Sequence, residues 1–167
     1  MTNKFQKQSQ NTEPPASGKH AKIAARFAAR DDRGDSRYNA CYLEYFRLFN
    51  AREYYEAHDV LEHIWLGAEG EIRDFYKALI QLAGAFVHMQ HQHREPHHRV
   101  HGRRLRPAAR LFRRSSELLS NFPAHYEGLA VDRISTMAAE SAFALESSEF
   151  TVNPWSPETA PRLDPPA

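Results

Sequence analysis

The chain has 167 residues, of which 41% are hydrophobic and 26% charged, and its formal net charge is +1. This length accommodates one domain of ordinary size with flanking segments. Its longest stretch without a formal charge, residues 78–93, is too short and too polar to cross a bilayer, which argues against a membrane protein. No secretory signal opens the sequence, and the single cysteine, Cys41, cannot form an internal disulfide. We therefore predict a cytoplasmic protein.

Three segments follow one another along the chain. Residues 1–38 are polar and basic and predict a disordered N-terminal tail, within which residues 19–30 have the composition of a short helix. Residues 39–147 contain the apolar periodicity of a helical domain. Residues 148–167 are rich in proline and predict an extended tail. No segment has strand periodicity, so the predicted fold is all-α, a compact bundle of about five helices.

The predicted helices of the domain cover residues 42–49, 53–66, 71–91, 98–120 and 131–146. Gly67 ends the second helix and Gly70 closes the short loop that follows it. Pro107 either kinks the fourth helix or marks its true first turn. Cys41, beside apolar neighbours, is expected to be a small buried residue rather than a nucleophile.

Polar residues lie next to the apolar faces of the second and third predicted helices. On the second helix, Tyr55 and Trp65 are expected to draw His58 and Glu62 inward, between the core and solvent. The residues expected on the solvated side of that helix are Glu56, Asp59 and His63. The third helix carries a similar polar arc, made of Arg73, Lys77, Gln81, Gly84, His88 and His91. A glycine within a helix favours close approach of another backbone or a ligand.

A short loop makes the second and third helices antiparallel neighbours. We predict that Glu62 pairs with Arg73 and that His58 bonds Gln81 across the interface. Two interpretations of these contacts remain open. In the first, the contacts only fix the register of the two helices. In the second, they line a functional cleft, because groups with shifted pKa values are common at functional sites. If the cleft is catalytic, His58 is the general base, Arg73 anchors an anion, and Glu62 orients one of the two.

The run FNAREYYEAHDVLEHIW at residues 49–65 resembles a small bacterial and archaeal family, filed as domain of unknown function 309. Arg73, the run ALIQLA at 78–83 and His88 are similar to the same family, as is FPAHYEGL at 122–129. The resemblance covers about residues 40–145. It implies an all-helical fold and no established activity. It also implies a polar motif, matched here by Glu56, His58, Glu62, Trp65, Arg73, Gln81 and His88.

The sequence departs from the pattern of this family in two places. Lys77 and Ala78 stand where the pattern has Gln and Gly, and residues 93–101 replace a Gly-Asn turn. Six of the ten histidines lie in residues 88–101. His88 and His91 have the one-face spacing of ligands for a divalent metal. The alternative is a solvated histidine-rich turn.

Five arginines recur at steps of three and four residues after this turn, and we call them the arginine stripe: Arg99, Arg103, Arg106, Arg110 and Arg113. Such a stripe can follow the phosphate backbone of a nucleic acid. The alternative is a solvated face, partly neutralised by the acidic second helix.

Our leading hypothesis is a pocket between the second and third helices for a small anionic ligand or a divalent metal. The residues expected to form it are His58, Glu62, Arg73, Gln81 and His88. The alternative is a non-enzymatic interaction module that binds nucleic acid or a protein through residues 99–114. The sequence identifies no cofactor and no oligomeric state.

Overall fold

A computed structural model describes residues 18–31 and 37–167; the side chains at 20 and 28–31 are outside this description, as are residues 1–17 and 32–36. The helices are α1 (Gly18–Asp31), α2 (Ala40–Asn50), α3 (Tyr54–Trp65), α4 (Glu71–Arg94), α5 (Leu105–Leu119) and α6 (Val131–Ser147). A single 3₁₀ turn covers His101–Arg103, and two antiparallel strands of two residues each, β1 (His125–Tyr126) and β2 (Leu129–Ala130), lie before α6. The predicted all-α bundle is confirmed. None of the described helices is long and apolar enough to cross a membrane.

The central element is α4, which packs against α3 on one side and α5 on the other. Most of its apolar positions are buried, and its Phe86 packs edge-on against Phe49 of α2 and Phe112 of α5. The Tyr45 hydroxyl donates to the carbonyl of Leu79 at 2.7 Å, and the Ser115 hydroxyl donates to that of Ala78 at 2.8 Å. Both hydroxyl groups are therefore buried with a hydrogen-bond partner, and the two bonds join α2 and α5 to α4.

The ends of the helices follow local sequence signals. The Asn39 side chain caps α2 by accepting from the backbone N–H of Cys41 at 2.8 Å, and Cys41 itself is buried, as predicted. Gly70 has a φ of 66° in the loop before α4. Pro107 lies in the first turn of α5, so of its two predicted roles it marks the start of the helix and does not kink it. The β-strands were not predicted; Glu127 and Gly128 both have positive φ, as a tight hairpin turn requires.

Both segments predicted as tails contribute to the core. Residues 18–31 form α1, whose Phe27 is 5% exposed. The rest of the predicted disordered tail up to residue 17 lies outside the described residues. The proline-rich segment contains turns and no helix or strand, and its Trp155 and Leu163 are each 5% exposed. The Asn50 side chain pairs with the backbone N–H and carbonyl of Leu163, both at 2.8 Å. This segment therefore packs as part of the domain.

Gly84 lies where α4 and α5 approach each other closely. A Cβ at this position would lie 3.3 Å from Cδ1 of Leu111. The polar arc of α4 around Gly84 thus borders α5, and the predicted position of this arc against α3 is wrong at Gly84.

Candidate functional site

Three polar side chains of α3 and one of α1 meet on a half-buried surface. His58, Asp59 and Glu62 each offer one metal-ligand atom, and these three atoms lie within 4.8 Å of one another. We call these three residues the α3 polar cluster. The Lys19 ammonium group reaches it from α1, with Nζ 2.9 Å from Oδ1 of Asp59 and 3.1 Å from Oε2 of Glu62. The two carboxylates therefore converge on one position that holds a positive charge.

The cluster is shielded from water to different degrees. The side chain of Asp59 is 14% exposed, that of Glu62 27% and that of His58 31%. Nδ1 of His58 lies 3.3 Å from Oδ1 of Asp59. The hydrogen bond from Lys19 to Asp59 raises the pKa of the lysine, so the ammonium group stays charged near neutral pH. Asp59 is thus a central member of the site, and its predicted place on the solvated side of the helix is wrong.

Tyr55 was expected to draw the polar face of α3 inward, and this expectation is also wrong. Its ring is 59% exposed, whereas the preceding residue, Tyr54, is completely buried. The cover over Asp59 and Glu62 comes from α1 instead. The angular position of a residue on α3 therefore does not decide its exposure, because a neighbouring helix covers part of the predicted solvated side.

Arg73 has a different role from the predicted pairing with Glu62. Its Nη1 donates to the carbonyls of Trp65 and Ala68, both at 3.1 Å, and its guanidinium carbon lies 4.2 Å from the centre of the Trp65 ring. Arg73 thereby satisfies carbonyls at the C-terminal end of α3, where a positive charge also suits the helix dipole. Glu62 is bonded to Lys19 instead. The predicted Glu62–Arg73 pair is replaced by these contacts.

The two remaining residues of the predicted pocket lie further along α4. Gln81 is half-buried, and the hydrogen bond of the His58 ring goes to Asp59 rather than to Gln81. Nδ1 of His88 lies 3.1 Å from Nη1 of Arg104, which precedes α5. Burial, assisted by the charge of Arg104, lowers the pKa of His88 to about 4. His88 is therefore a neutral acceptor for Arg104 and does not belong to the group of ligand atoms formed by His58, Asp59 and Glu62.

The histidine-rich turn forms a second group of ligand atoms, from Glu95, His98 and His101. Nδ1 of His98 accepts the backbone N–H groups of Val100 and His101, both at 3.1 Å, so the proton of the neutral ring lies on Nε2. Nδ1 of His101 contacts the carboxylate of Glu95. Neither nitrogen of His98 thus presents a free lone pair to a metal.

His91, predicted together with His88 as a metal ligand, stacks edge-on against His101 with ring centres 4.9 Å apart. Burial lowers the pKa of His91 as well, and nearby positive charge adds to this effect. The ring is half-buried in the same turn.

The arginine stripe is exposed at four of its five positions, Arg99, Arg103, Arg106 and Arg110. The fifth, Arg113, forms a two-pronged pair with Glu146 of α6, at 2.9 and 2.5 Å. The predicted partial neutralisation of the stripe thus comes from α6 and not from the acidic face of α3.

Sequence reasoning missed two members of the site, Asp59 and Lys19. The pair Asp59–Glu62 has the i, i+3 spacing that brings side chains together on a helix, and this signal could have identified Asp59. No local pattern could have identified Lys19, because 40 residues separate it from Asp59.

Residues 42–100 match the family model described as a domain of unknown function (DUF309), which confirms the resemblance over these residues; the run at 122–129 lies outside the match. This match includes the α3 polar cluster, Arg73, Gln81 and His88, whereas Lys19 lies outside it. The description of the family names no activity. No curated protein and no solved structure matches the chain.

Proposed function

We propose that the DUF309 domain of this chain binds a divalent metal ion at the α3 polar cluster. The observation that carries the proposal is the convergence of the Asp59 and Glu62 carboxylates on the Lys19 ammonium group. The ammonium group that the two carboxylates share carries one positive charge, and a divalent metal ion in its place would carry two. The His58 ring, within reach of the same position, supplies a nitrogen ligand.

The ligand chemistry supports an ion of intermediate softness. One imidazole and two carboxylates bind Zn²⁺ or Mn²⁺ well. Metal bonds of about 2.0–2.1 Å in a tetrahedral site place two ligand atoms about 3.3–3.4 Å apart. The 3.3 Å between Nδ1 of His58 and Oδ1 of Asp59 agrees with that spacing, provided that metal binding moves the proton of the neutral ring from Nδ1 to Nε2. Three protein ligands leave a coordination position open, where water or a small anion would bind.

Lys19 and a metal ion compete for the same carboxylates in this proposal. The lysine side chain is 41% exposed and can move into solvent when a metal ion enters. In Lys19→Met a metal ion no longer has to break the ion pairs of this exposed lysine, which are worth about 1 kcal/mol. We therefore expect Lys19→Met to tighten metal binding about fivefold.

The experiment is calorimetric titration of the full chain, freed of metal by a chelator, with Zn²⁺ and separately with Mn²⁺. We expect one site, whose affinity falls more than about 100-fold in Asp59→Asn and in Glu62→Gln. Glu56→Gln is the matched control, because it removes an exposed acid from the same helix without touching the cluster. Circular dichroism verifies that each variant is folded.

Two results would contradict the proposal. One is the absence of binding in the wild-type chain and in Lys19→Met. The other is a site that survives Asp59→Asn and Glu62→Gln but disappears in the double variant His98→Gln/His101→Gln, since the metal would then bind the histidine-rich turn.

A further inference from the structure

A groove of about 380 Å³ lies between α5 and the end of α6. Four arginines of α5 line it, and Glu146 and Phe150 close its other side; the arginines are Arg106, Arg110, Arg113 and Arg114. We call it the arginine groove. With a rise of about 1.5 Å per residue, the side chains of Arg106, Arg110 and Arg113 leave the helix at intervals of about 4.5–6 Å along one face.

The arginine groove carries an excess of positive charge. Arg113 is paired with Glu146, and Arg114 lies 3.5 Å from Glu117. In the part of the chain that the structure describes, Arg106 and Arg110 have no carboxylate within ion-pair distance. Two acids therefore face four arginines, and the unpaired guanidinium groups remain available to an anionic ligand.

Phe150 is held against the groove in an unusual backbone conformation. Its φ is 60°, a region that bulky L residues rarely adopt, and its N–H donates to the carbonyl of Leu145 at 2.8 Å. The guanidinium carbon of Arg106 lies 4.2 Å from the centre of its ring. Glu149 also has a positive φ, and the two backbone bonds Phe150 N–H to Leu145 and Glu149 N–H to Glu146 form the turn that ends α6. This turn places the aromatic ring beside the unpaired arginines.

We infer that the arginine groove binds single-stranded nucleic acid, with Arg106 and Arg110 on phosphates and with a base in the place that the Arg106 guanidinium now takes over the Phe150 ring. Such sites combine a positively charged groove with an aromatic stacking surface. The α6 helix flanks α5 along the groove, so the arginine face of α5 is not free to enter the major groove of a duplex. A flexible single strand can follow the groove and turn one base toward the ring.

The test measures fluorescence anisotropy of a labelled oligothymidylate of about twelve nucleotides, titrated with the full chain at about 50 and 200 mM salt. In Arg106→Gln/Arg110→Gln we expect at least about tenfold weaker binding at low salt, and a salt slope smaller by about 1.4, the value for two lost phosphate contacts. Phe150→Leu should weaken binding about tenfold with the salt slope unchanged, because it removes stacking and no charge. Both variants retain the Arg113–Glu146 pair.

The matched control is Arg133→Gln/Arg162→Gln, which removes two exposed arginines outside the groove and changes the net charge equally. Three results would overturn the inference. The first is no binding by wild type at low salt, and the second is an equal loss in the control, which would indicate diffuse attraction. The third is tighter binding of a duplex of the same length together with no effect of Phe150→Leu.

Discussion

Trp155 is the side chain by which the C-terminal segment enters the core, and its truncation tests whether that segment is part of the domain. Its indole is 5% exposed, and Nε1 donates to the hydroxyl of Tyr54 at 3.1 Å. The ring packs edge-on against Tyr54, with centres 6.1 Å apart, and against His93, with centres 5.3 Å apart. For a buried indole with these contacts, we expect Trp155→Ala to lower the free energy of unfolding by about 3–5 kcal/mol. About 1 kcal/mol of this belongs to the hydrogen bond.

The loss in the free energy of unfolding has an upper limit, since the C-terminal segment can detach while the rest of the domain stays folded. Besides Trp155, it is held by Asn153, whose side chain donates to the carbonyl of Met89 at 2.9 Å and to Gln92 at 2.7 Å. If these hydrogen bonds keep the segment in place, Trp155→Ala leaves a cavity, and the free energy of unfolding falls by the full cost of that cavity. If they do not, the loss stops at the free energy of detachment, and proteolysis within residues 148–167 becomes faster.

The assay is urea unfolding of the full chain followed by circular dichroism, which does not depend on indole fluorescence. Trp155→Phe retains an aromatic ring but no N–H donor, so we expect a loss of about 1–2 kcal/mol. Val152→Ala is the matched control from the same segment, because this side chain is 59% exposed and should change stability by less than about 0.5 kcal/mol. A loss below about 1 kcal/mol in Trp155→Ala, without faster proteolysis, would refute the assignment of this segment to the core.

Two further predictions concern α4. His88 has a pKa of about 4 in the folded chain and about 6.5 when unfolded. Between these values the unfolded chain binds the extra proton, so the free energy of unfolding decreases by about 1–2 kcal/mol as the pH is lowered from 6.5 to 4, after allowance for solvent screening. His88→Gln, which can still accept from Arg104, should reduce the difference between urea unfolding at pH 7 and at pH 4.5; an unchanged difference would contradict the prediction. Arg73→Lys should lower the free energy of unfolding by about 1–2 kcal/mol, because lysine cannot both stack on Trp65 and bond two carbonyls. Equal stability of this variant in thermal and urea unfolding would show that the cap contributes nothing.

Part of the site could be predicted from α3 and α4 alone. The apolar spacing of α3 placed His58 and Glu62 beside the core, and both are half-buried. The same spacing could not show that α1 covers the adjacent side, which brings Asp59 into the site and gives both carboxylates to Lys19. Such contacts depend on where a distant helix packs, and the local sequence contains no information about that position.

The predicted pocket between α3 and α4 illustrates the same distinction. Antiparallel neighbours were correctly expected, but the partners of the polar residues were not. Arg73 bonds carbonyls at the end of α3, and His88 bonds Arg104 beside α5. Helical geometry gives the angle of a side chain around its own axis. It does not determine which of several neighbours that side chain meets, because this depends on how three helices pack together.

The sequence by itself determined the all-α fold, the positions of the main helices of the domain and the candidate polar residues on α3 and α4. Helical periodicity, caps and prolines act over a few residues, so these features can be determined locally. Only the tertiary structure decided that residues 18–31 and the proline-rich segment join the core. It also decided that Asp59 and Glu62 share the charge of Lys19, and that Phe150 lies beside the arginine groove. Each of these contacts joins residues of different elements, and burial of apolar surface brings those elements together.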